Sequence, residues 1–177
     1  MKKNIPFEIA GIKAAVDQEL ANAKFTFDGL TIPAKLKPVA AELELGIYDA
    51  VPMIAGAKDE AAKAMYEKLK PIAEKGLEGA KALETEGRKG AAYFEYARVA
   101  AWFKKTDYEK TATAAMAALK KEKPVQDEIA ARQLLEQAKA LMATGKKPDA
   151  ATAQGMLAAL KKKYPETDAA KAAEKLK

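Results

Sequence analysis

The sequence repeats one pattern at three places: LELGIYDAV (43–51), LETEGRKGAA (83–92) and LMATGKKPDA (141–150). In each, an apolar segment of helical spacing runs into a glycine, and a second helical segment follows. Glycine takes a positive φ without a Cβ clash, so Gly46, Gly87 and Gly145 can each end a helix and turn the chain back. The pattern predicts three antiparallel helical hairpins, stacked as a repeat array or packed as a compact bundle.

Composition agrees with a helical fold. The chain has 177 residues, enough for one domain with a core of its own, and alanine occupies 41 positions. Alanine has the highest helix propensity, and strand-forming residues are sparse beyond about the first 55 positions. We therefore predict an all-α protein.

Proline and capping residues indicate where the helices begin. Pro38, Pro124 and Pro148 each precede an apolar-periodic run and predict a helix start, whereas Pro71 either begins a helix or kinks one. Pro52, with Gly56 after it, should shorten or kink the second arm of the first hairpin.

Two threonine turns predict further helices. TDYE (106–109) is a capping box, which predicts an additional helix over about 107–121. A last helix is predicted after Thr167-Asp168.

The first 37 residues are predicted to pack on the hairpin domain at 38–177. Ile9, Ile12, Val16 and Leu20 predict a helix over about 8–23. KFTFDGLTIP (24–33) has alternating β-formers around Asp-Gly, which favours a short β-hairpin. The alternative is an irregular loop whose phenylalanines fill the helical core.

These segments resemble tetratricopeptide repeats over about residues 38–177. Gly87, Ala92, Tyr96 and Val99 follow the spacing of that family's helical hairpin, and YPETD (164–168) is its bacterial inter-repeat turn, with FKKTD (103–107) as a second copy. The spacing departs from the family's 34-residue period, and the third hairpin is about three residues longer after its glycine. The resemblance implies a scaffold that binds peptides or proteins without a cofactor, and bacterial export to the periplasm or envelope.

The residue inventory argues against an enzyme. Cysteine, histidine and serine are absent, which excludes disulfides, thiol and serine-hydrolase chemistry, and most zinc and haem sites. Glu74, Glu78, Glu84 and Glu86 alternate with lysines, as on a solvated helix face. We expect no catalytic residue, cofactor or metal.

The net charge of +6 lies wholly in the second half of the chain, since residues 1–90 are balanced. Only three of the 31 basic residues are arginine, the side chain best suited to phosphate and base recognition, so we do not expect nucleic acid as the partner. The lysine runs at 120–121, 146–147 and 161–163 are interpreted as helix-end charges. An anion-binding patch over 104–163 is the alternative.

Apolar runs of about 18 residues are missing, which predicts no membrane span. The basic start MKK is not followed by the uninterrupted apolar stretch of a signal peptide. We expect a soluble protein, and an exported one if a signal peptide has been removed.

The candidate partner-binding residues are Trp102 and Tyr93, with Trp102 as an exposed anchor, because aromatic side chains dominate interaction hot spots. Core packing is the alternative for this cluster, with Tyr96 and Phe103 on the buried stripe.

We hypothesise a non-enzymatic scaffold that binds a protein or peptide through the inner helices, about 38–46, 71–86 and 127–144. An anion-binding module and a small-molecule-binding bundle, with a cavity under residues 25–32, are the alternatives.

Overall fold

A computed structural model describes residues 25–176, and every regular element within this range is helical. Eight α-helices follow in order: α1 Lys37–Glu44, α2 Val51–Ala55, α3 Glu60–Thr85, α4 Lys89–Trp102, α5 Asp107–Leu119, α6 Lys123–Ala143, α7 Lys147–Lys163 and α8 Asp168–Ala173. Two short 3-10 helices, Ala34–Leu36 and Tyr48–Ala50, precede α1 and α2. The all-α prediction is confirmed for this part of the chain. The helix predicted over about 8–23 lies outside the described residues.

All three predicted glycine junctions separate helices and have positive φ: +78° at Gly46, +77° at Gly87 and +69° at Gly145. At Gly87 the helix ends in a Schellman motif, in which Arg88 N–H donates to Leu83 C=O and Gly87 N–H to Glu84 C=O. Gly46 has the same pair of hydrogen bonds. The helical-hairpin prediction is therefore confirmed at all three positions.

The third junction replaces one of these backbone bonds with a side chain. Thr144 Oγ1 accepts from Lys146 N–H at 3.2 Å and donates to Leu141 C=O at 2.8 Å. The hydroxyl therefore bridges Lys146 N–H and Leu141 C=O. In the other two hairpins the corresponding backbone groups are hydrogen-bonded to each other directly.

A threonine turn precedes the last helix of each of two similar units, which we call the first unit (α3–α5) and the second unit (α6–α8). Thr106 Oγ1 donates to Phe103 C=O and accepts from Glu109 N–H, while Thr167 Oγ1 donates to Tyr164 C=O and accepts from Ala170 N–H. Both threonines are N-caps, of α5 and α8. The predicted additional helix and last helix are confirmed, and α7 is three residues longer than α4, with 17 residues against 14.

Helix α4 is the central element of the packing. It contacts α3, α5 and α6, and α7 in turn contacts α6 and α8. A Cβ at Gly76 in α3 would lie 2.5 Å from Val99 Cγ2 in α4, so this glycine lets the two helices approach closely. One apolar cluster runs from Phe27 to Val125 and a second from Ala131 to Ala173; α6 contributes to both.

The prolines behave largely as predicted. Pro38, Pro124 and Pro148 lie in the first turns of α1, α6 and α7. Pro71 begins no new helix and lies inside the continuous α3. The helix that contains Pro52, α2, has only five residues, as the sequence led us to expect.

The β-hairpin prediction is wrong for residues 25–33, which contain a turn but no strand. Leu30 N–H donates to Phe27 C=O, and Gly29 has a φ of +82°. The N–H of Phe27 donates to Glu44 Oε1 at 2.9 Å instead of to a partner strand. Phe27 is buried in the core with Phe25 edge-on against it, so the alternative of a loop that fills the core is correct.

Two tyrosines fasten neighbouring helices to α3. Tyr96 Oη in α4 donates to Glu84 Oε1 at 2.6 Å, and Tyr108 Oη in α5 donates to Glu74 Oε1 at 2.9 Å. Burial, and then the hydrogen bond to Glu74, raise the pKa of Tyr108 to about 12. The same two causes, with Glu84 as partner, raise the pKa of Tyr96.

The glycine junction can be tested with a matched pair of Gly→Ala substitutions. Gly87→Ala places a Cβ at positive φ and should lower the free energy of unfolding by about 1–2 kcal/mol. Gly79→Ala lies in the interior of α3 with open space around it and should raise that free energy by about 0.5–1 kcal/mol. Urea unfolding followed by circular dichroism measures both, and equal effects would contradict the role of Gly87.

The Tyr108–Glu74 contact predicts a dependence of stability on alkaline pH. A pKa of about 12 in the folded state, above the ordinary 10.0, means that the native state holds this proton more tightly than the unfolded state. The stabilisation is complete below about pH 10 and is lost as the pH rises through about 12. The free energy of unfolding should fall less steeply over this range in Tyr108→Phe than in the wild type; parallel curves would refute the contact.

Candidate functional site

An open groove of about 570 Å³ lies where the first unit meets the second. Three chain segments line it: the start of α4 (87–91), the start of α6 (123–128), and the turn from α7 to α8 (163–168) with Lys171 beside it. The groove is thus built from helix ends, and its walls come from both units.

Gly90 sets the distance between the walls. A Cβ at this position would lie 2.6 Å from Glu128 Cβ and 2.9 Å from its Cγ, distances that real Cβ atoms do not adopt. Only glycine lets the backbone of α4 pass this close to the side chain of α6. The close approach also buries Glu128.

Both carboxylate oxygens of Glu128 are bound at the base of the groove. Oε1 accepts from Arg132 Nε at 2.8 Å, and Oε2 accepts from the backbone N–H of Asp168 at 2.8 Å. This side chain therefore connects α6 to the first residue of α8. The guanidinium of Arg132 lies 3.9 Å from the ring centroid of Phe94 in α4, which adds a contact to the first unit.

A second link crosses the groove at its edge. Arg88 Nη2 donates to Asp168 Oδ2 at 2.8 Å and joins the start of α4 to α8. The hydrogen bond and the charge of Asp168 raise the pKa of Arg88. Glu128 and Asp168 together hold three elements in one arrangement, so the groove has fixed walls.

The two predicted partner-binding aromatics lie outside the groove lining. The Trp102 ring stacks on Tyr48 with a centroid distance of 4.3 Å and an interplanar angle of 17°, and the Arg98 guanidinium lies 4.5 Å from its centroid. Trp102 is half-buried, so the expectation of an exposed anchor is corrected: Tyr48, 54 positions away in sequence, covers one face.

Tyr93 is also half-buried and packs edge-on against Phe94, with 5.4 Å between the ring centroids. Tyr96 and Phe103 are buried, as the core-packing interpretation predicted. A role of Trp102 or Tyr93 in partner binding stays a prediction.

The remaining predicted surfaces are dispersed. Of the inner-helix ranges, only 127–144 reaches the groove, through Asp127 and Glu128. The helix-end interpretation is confirmed for Lys120, the C-cap of α5, and for the lysines at 161–163, which end α7. Lys146 and Lys147 instead lie at the start of α7. The large apolar side chains exposed in the described range, Leu45, Ile47 and Met53, all belong to the first hairpin.

The alternative sites gain no support. Within residues 25–176, no group of three or more acidic side chains is placed to hold a metal ion. The side chains of Phe27, Leu30 and Ile32 that pack on the core are apolar, so they supply no polar groups for a small molecule at that place. Over the same range, no helix is both long and apolar enough to cross a membrane.

Helical periodicity alone did not predict the groove, although the sequence contains one sign of it. The buried stripe of α6 is Val125, Glu128, Ala131, Leu135 and Ala138, so a carboxylate interrupts an otherwise apolar helical face. The sequence alone does not reveal the glycine that packs against it.

The Gly90–Glu128 contact predicts opposite effects of one chemical change at two helical glycines. Gly90→Ala should lower the free energy of unfolding by about 1–3 kcal/mol, because the added methyl overpacks the helix contact. Gly155→Ala, exposed in α7 with open space around it, should raise it by about 0.5–1 kcal/mol. Chemical denaturation of the two variants provides the measurement, and a stabilised Gly90→Ala would show that the walls are not in close contact.

Comparisons of this chain with protein-family models, with curated proteins and with solved structures find no match. The resemblance to tetratricopeptide repeats therefore stays a prediction based on the sequence pattern.

Proposed function

We propose that this protein is a non-enzymatic helical scaffold that binds a segment of a partner protein in the groove between its two units. The observation that carries the proposal is the groove itself, with walls fixed by the contacts of Glu128 and Asp168. A site that is already formed loses less conformational entropy when the partner binds, and this favours affinity.

The size and lining of the groove suit a short peptide segment. Its volume of about 570 Å³ lies within the usual range of ligand pockets. Tyr164, Pro165 and Pro124 offer apolar and ring contacts, while charged side chains surround them. A folded partner would engage this site through a loop or a terminus.

The chemistry of the lining favours binding over catalysis. The carboxylates of Asp127, Glu128 and Asp168 are each paired with a lysine or arginine, and the fourth lining carboxylate, Glu166, is exposed to solvent. A general base needs a free lone pair directed at a substrate proton, and pairing of this kind occupies it. Because the sequence also contains no histidine, cysteine or serine, we propose no enzymatic activity.

The tetratricopeptide resemblance enters this proposal as supporting inference. The threonine turns after α4 and α7 carry the residues on which the resemblance rests, and both connect a hairpin to a capped helix. On this likeness we propose a bacterial scaffold that acts in the periplasm or at the envelope.

Peptide display on the purified protein tests the proposal. A library of random twelve-residue peptides is selected against the wild type, and enriched peptides are measured again against Ala91→Trp. This substitution fills the groove from a half-buried lining position. Ala117→Trp, exposed on α5 and outside the lining, is the matched control.

We expect enriched peptides to lose at least about tenfold in affinity for Ala91→Trp and to bind Ala117→Trp as they bind the wild type. Peptides that bind all three proteins equally would place the binding surface elsewhere. A library without enrichment would contradict peptide binding itself.

A further inference from the structure

We propose that the groove selects an acidic segment, one rich in aspartate and glutamate; this inference rests on the proposed function. The lining carries five cationic side chains and four acidic ones, a count that by itself decides little. The two signs of charge differ in which side chains face solvent and which are already bound within the protein.

Three cations of the groove are more exposed than the lining acids that pair with them. The Lys123 side chain is 83% exposed and Asp127 34%, and Lys171 is 63% exposed against 29% for Asp168. Arg88, at 50%, is likewise more exposed than Asp168. A ligand that approaches from solvent therefore meets mainly ammonium and guanidinium groups, because the paired carboxylates are less exposed and Glu166 is the one exposed acid of the lining.

Three of the four lining carboxylates are committed to contacts within the protein, whereas the fourth, Glu166, is exposed to solvent. Glu128 uses both oxygens, for Arg132 and for the Asp168 backbone, and Asp168 is shared between Arg88 and Lys171. A basic ligand would have to displace these internal partners. An acidic ligand can instead add to cations that keep their existing contacts.

Lys163 is the lining cation most readily available to an anion. Its Nζ lies 5.1 Å from the ring centroid of Tyr164, and among residues 25–176 it forms no ion pair with a carboxylate. A carboxylate of the partner that contacts Lys163 would therefore break no ion pair seen in this part of the chain.

The lining favours an acidic peptide over a nucleic acid. Asp127, Glu166 and Asp168 stand between the cations and would repel a uniformly charged phosphate backbone. Lys163 Nζ lies 5.1 Å from the ring centroid of Tyr164, the aromatic residue of the lining, so a base stacked on that face would have to displace the ammonium group. A peptide can place its acids opposite the lysines and neutral residues opposite the acids.

Two biased peptide libraries and one oligonucleotide test the inference on the full-length protein. One library has aspartate or glutamate at half of its twelve positions, and the other has lysine or arginine there. A twelve-nucleotide thymidine oligomer serves as the nucleic-acid probe. Enriched peptides are then titrated by fluorescence anisotropy at 50 and 200 mM salt.

The variant for this test removes three exposed charges of the groove: Lys123→Gln, Lys163→Gln and Lys171→Gln. The matched control is Lys58→Gln, Lys75→Gln and Lys120→Gln, three exposed lysines outside the lining. Both variants change the net charge equally. A difference between them thus reports the groove and not the overall charge of the protein.

We expect enrichment from the acidic library alone, about a tenfold loss of affinity between 50 and 200 mM salt, and about a tenfold loss in the groove variant with less than about twofold in the control. Enrichment from the basic library, or affinity that does not respond to salt, would overturn the inference. If those peptides still lost affinity for Ala91→Trp, the proposed function would stand without it.

Tighter binding of the thymidine oligomer than of the acidic peptides would also overturn the inference and favour nucleic acid. Because the salt titration uses the wild-type protein, it decides for or against an acidic ligand even if the groove variant does not fold.

Discussion

The arrangement of the two helical units depends on one buried carboxylate. Glu128 lies in the apolar stripe of α6, and burial of an unpaired charge there would cost several kcal/mol. Arg132 and the Asp168 backbone occupy its two oxygens, and Gly90 leaves room for its side chain beneath α4. Loss of either hydrogen-bond partner would leave a buried carboxylate oxygen unpaired. A larger residue in place of Gly90 would leave no space for its Cβ. The relative position of α4, α6 and α8 is fixed by this requirement.

Side-chain hydroxyls form hydrogen bonds at the ends of several helices, and threonine provides these hydroxyls because serine is absent from the sequence. Thr106 and Thr167 have extended backbone angles, which a β-branched residue adopts readily. Each hydroxyl donates to the carbonyl three residues earlier and accepts from a helical N–H. Thr144 uses the same two-sided hydrogen bonding to complete a helix C-terminus. The similarity of the two units therefore lies in their turn chemistry as well as in helix order.

The features that could be predicted from sequence are those set by neighbouring residues. A glycine at a helix end or a threonine before an acidic turn acts within a few positions, so the three hairpins and the capped helices were predicted correctly. The structure of residues 25–33 was not predicted correctly. Asp28-Gly29 does form a turn, but the conformation of the residues on either side depends on Glu44 and on the core around Phe27. Trp102 was expected to be exposed for a similar reason: its cover, Tyr48, comes from another hairpin. The groove needs Gly90 and Glu128 together, a pairing that helical periodicity does not contain.

The ion pairs around the groove affect the order of its side chains more than the stability of the fold. Exposed ion pairs such as Lys123–Asp127 and Lys171–Asp168 stabilise a fold by at most about 1 kcal/mol, so stability is a weak reason for their arrangement. Their effect on the conformational freedom of the surface side chains is larger. Each acid holds a lysine or arginine near the groove mouth, where it would otherwise extend freely into solvent and lose that entropy on binding. Intramolecular pairing thus orders the cations in the absence of a ligand. The buried Glu128 also fixes the backbone at the start of α8, through its hydrogen bond to Asp168 N–H.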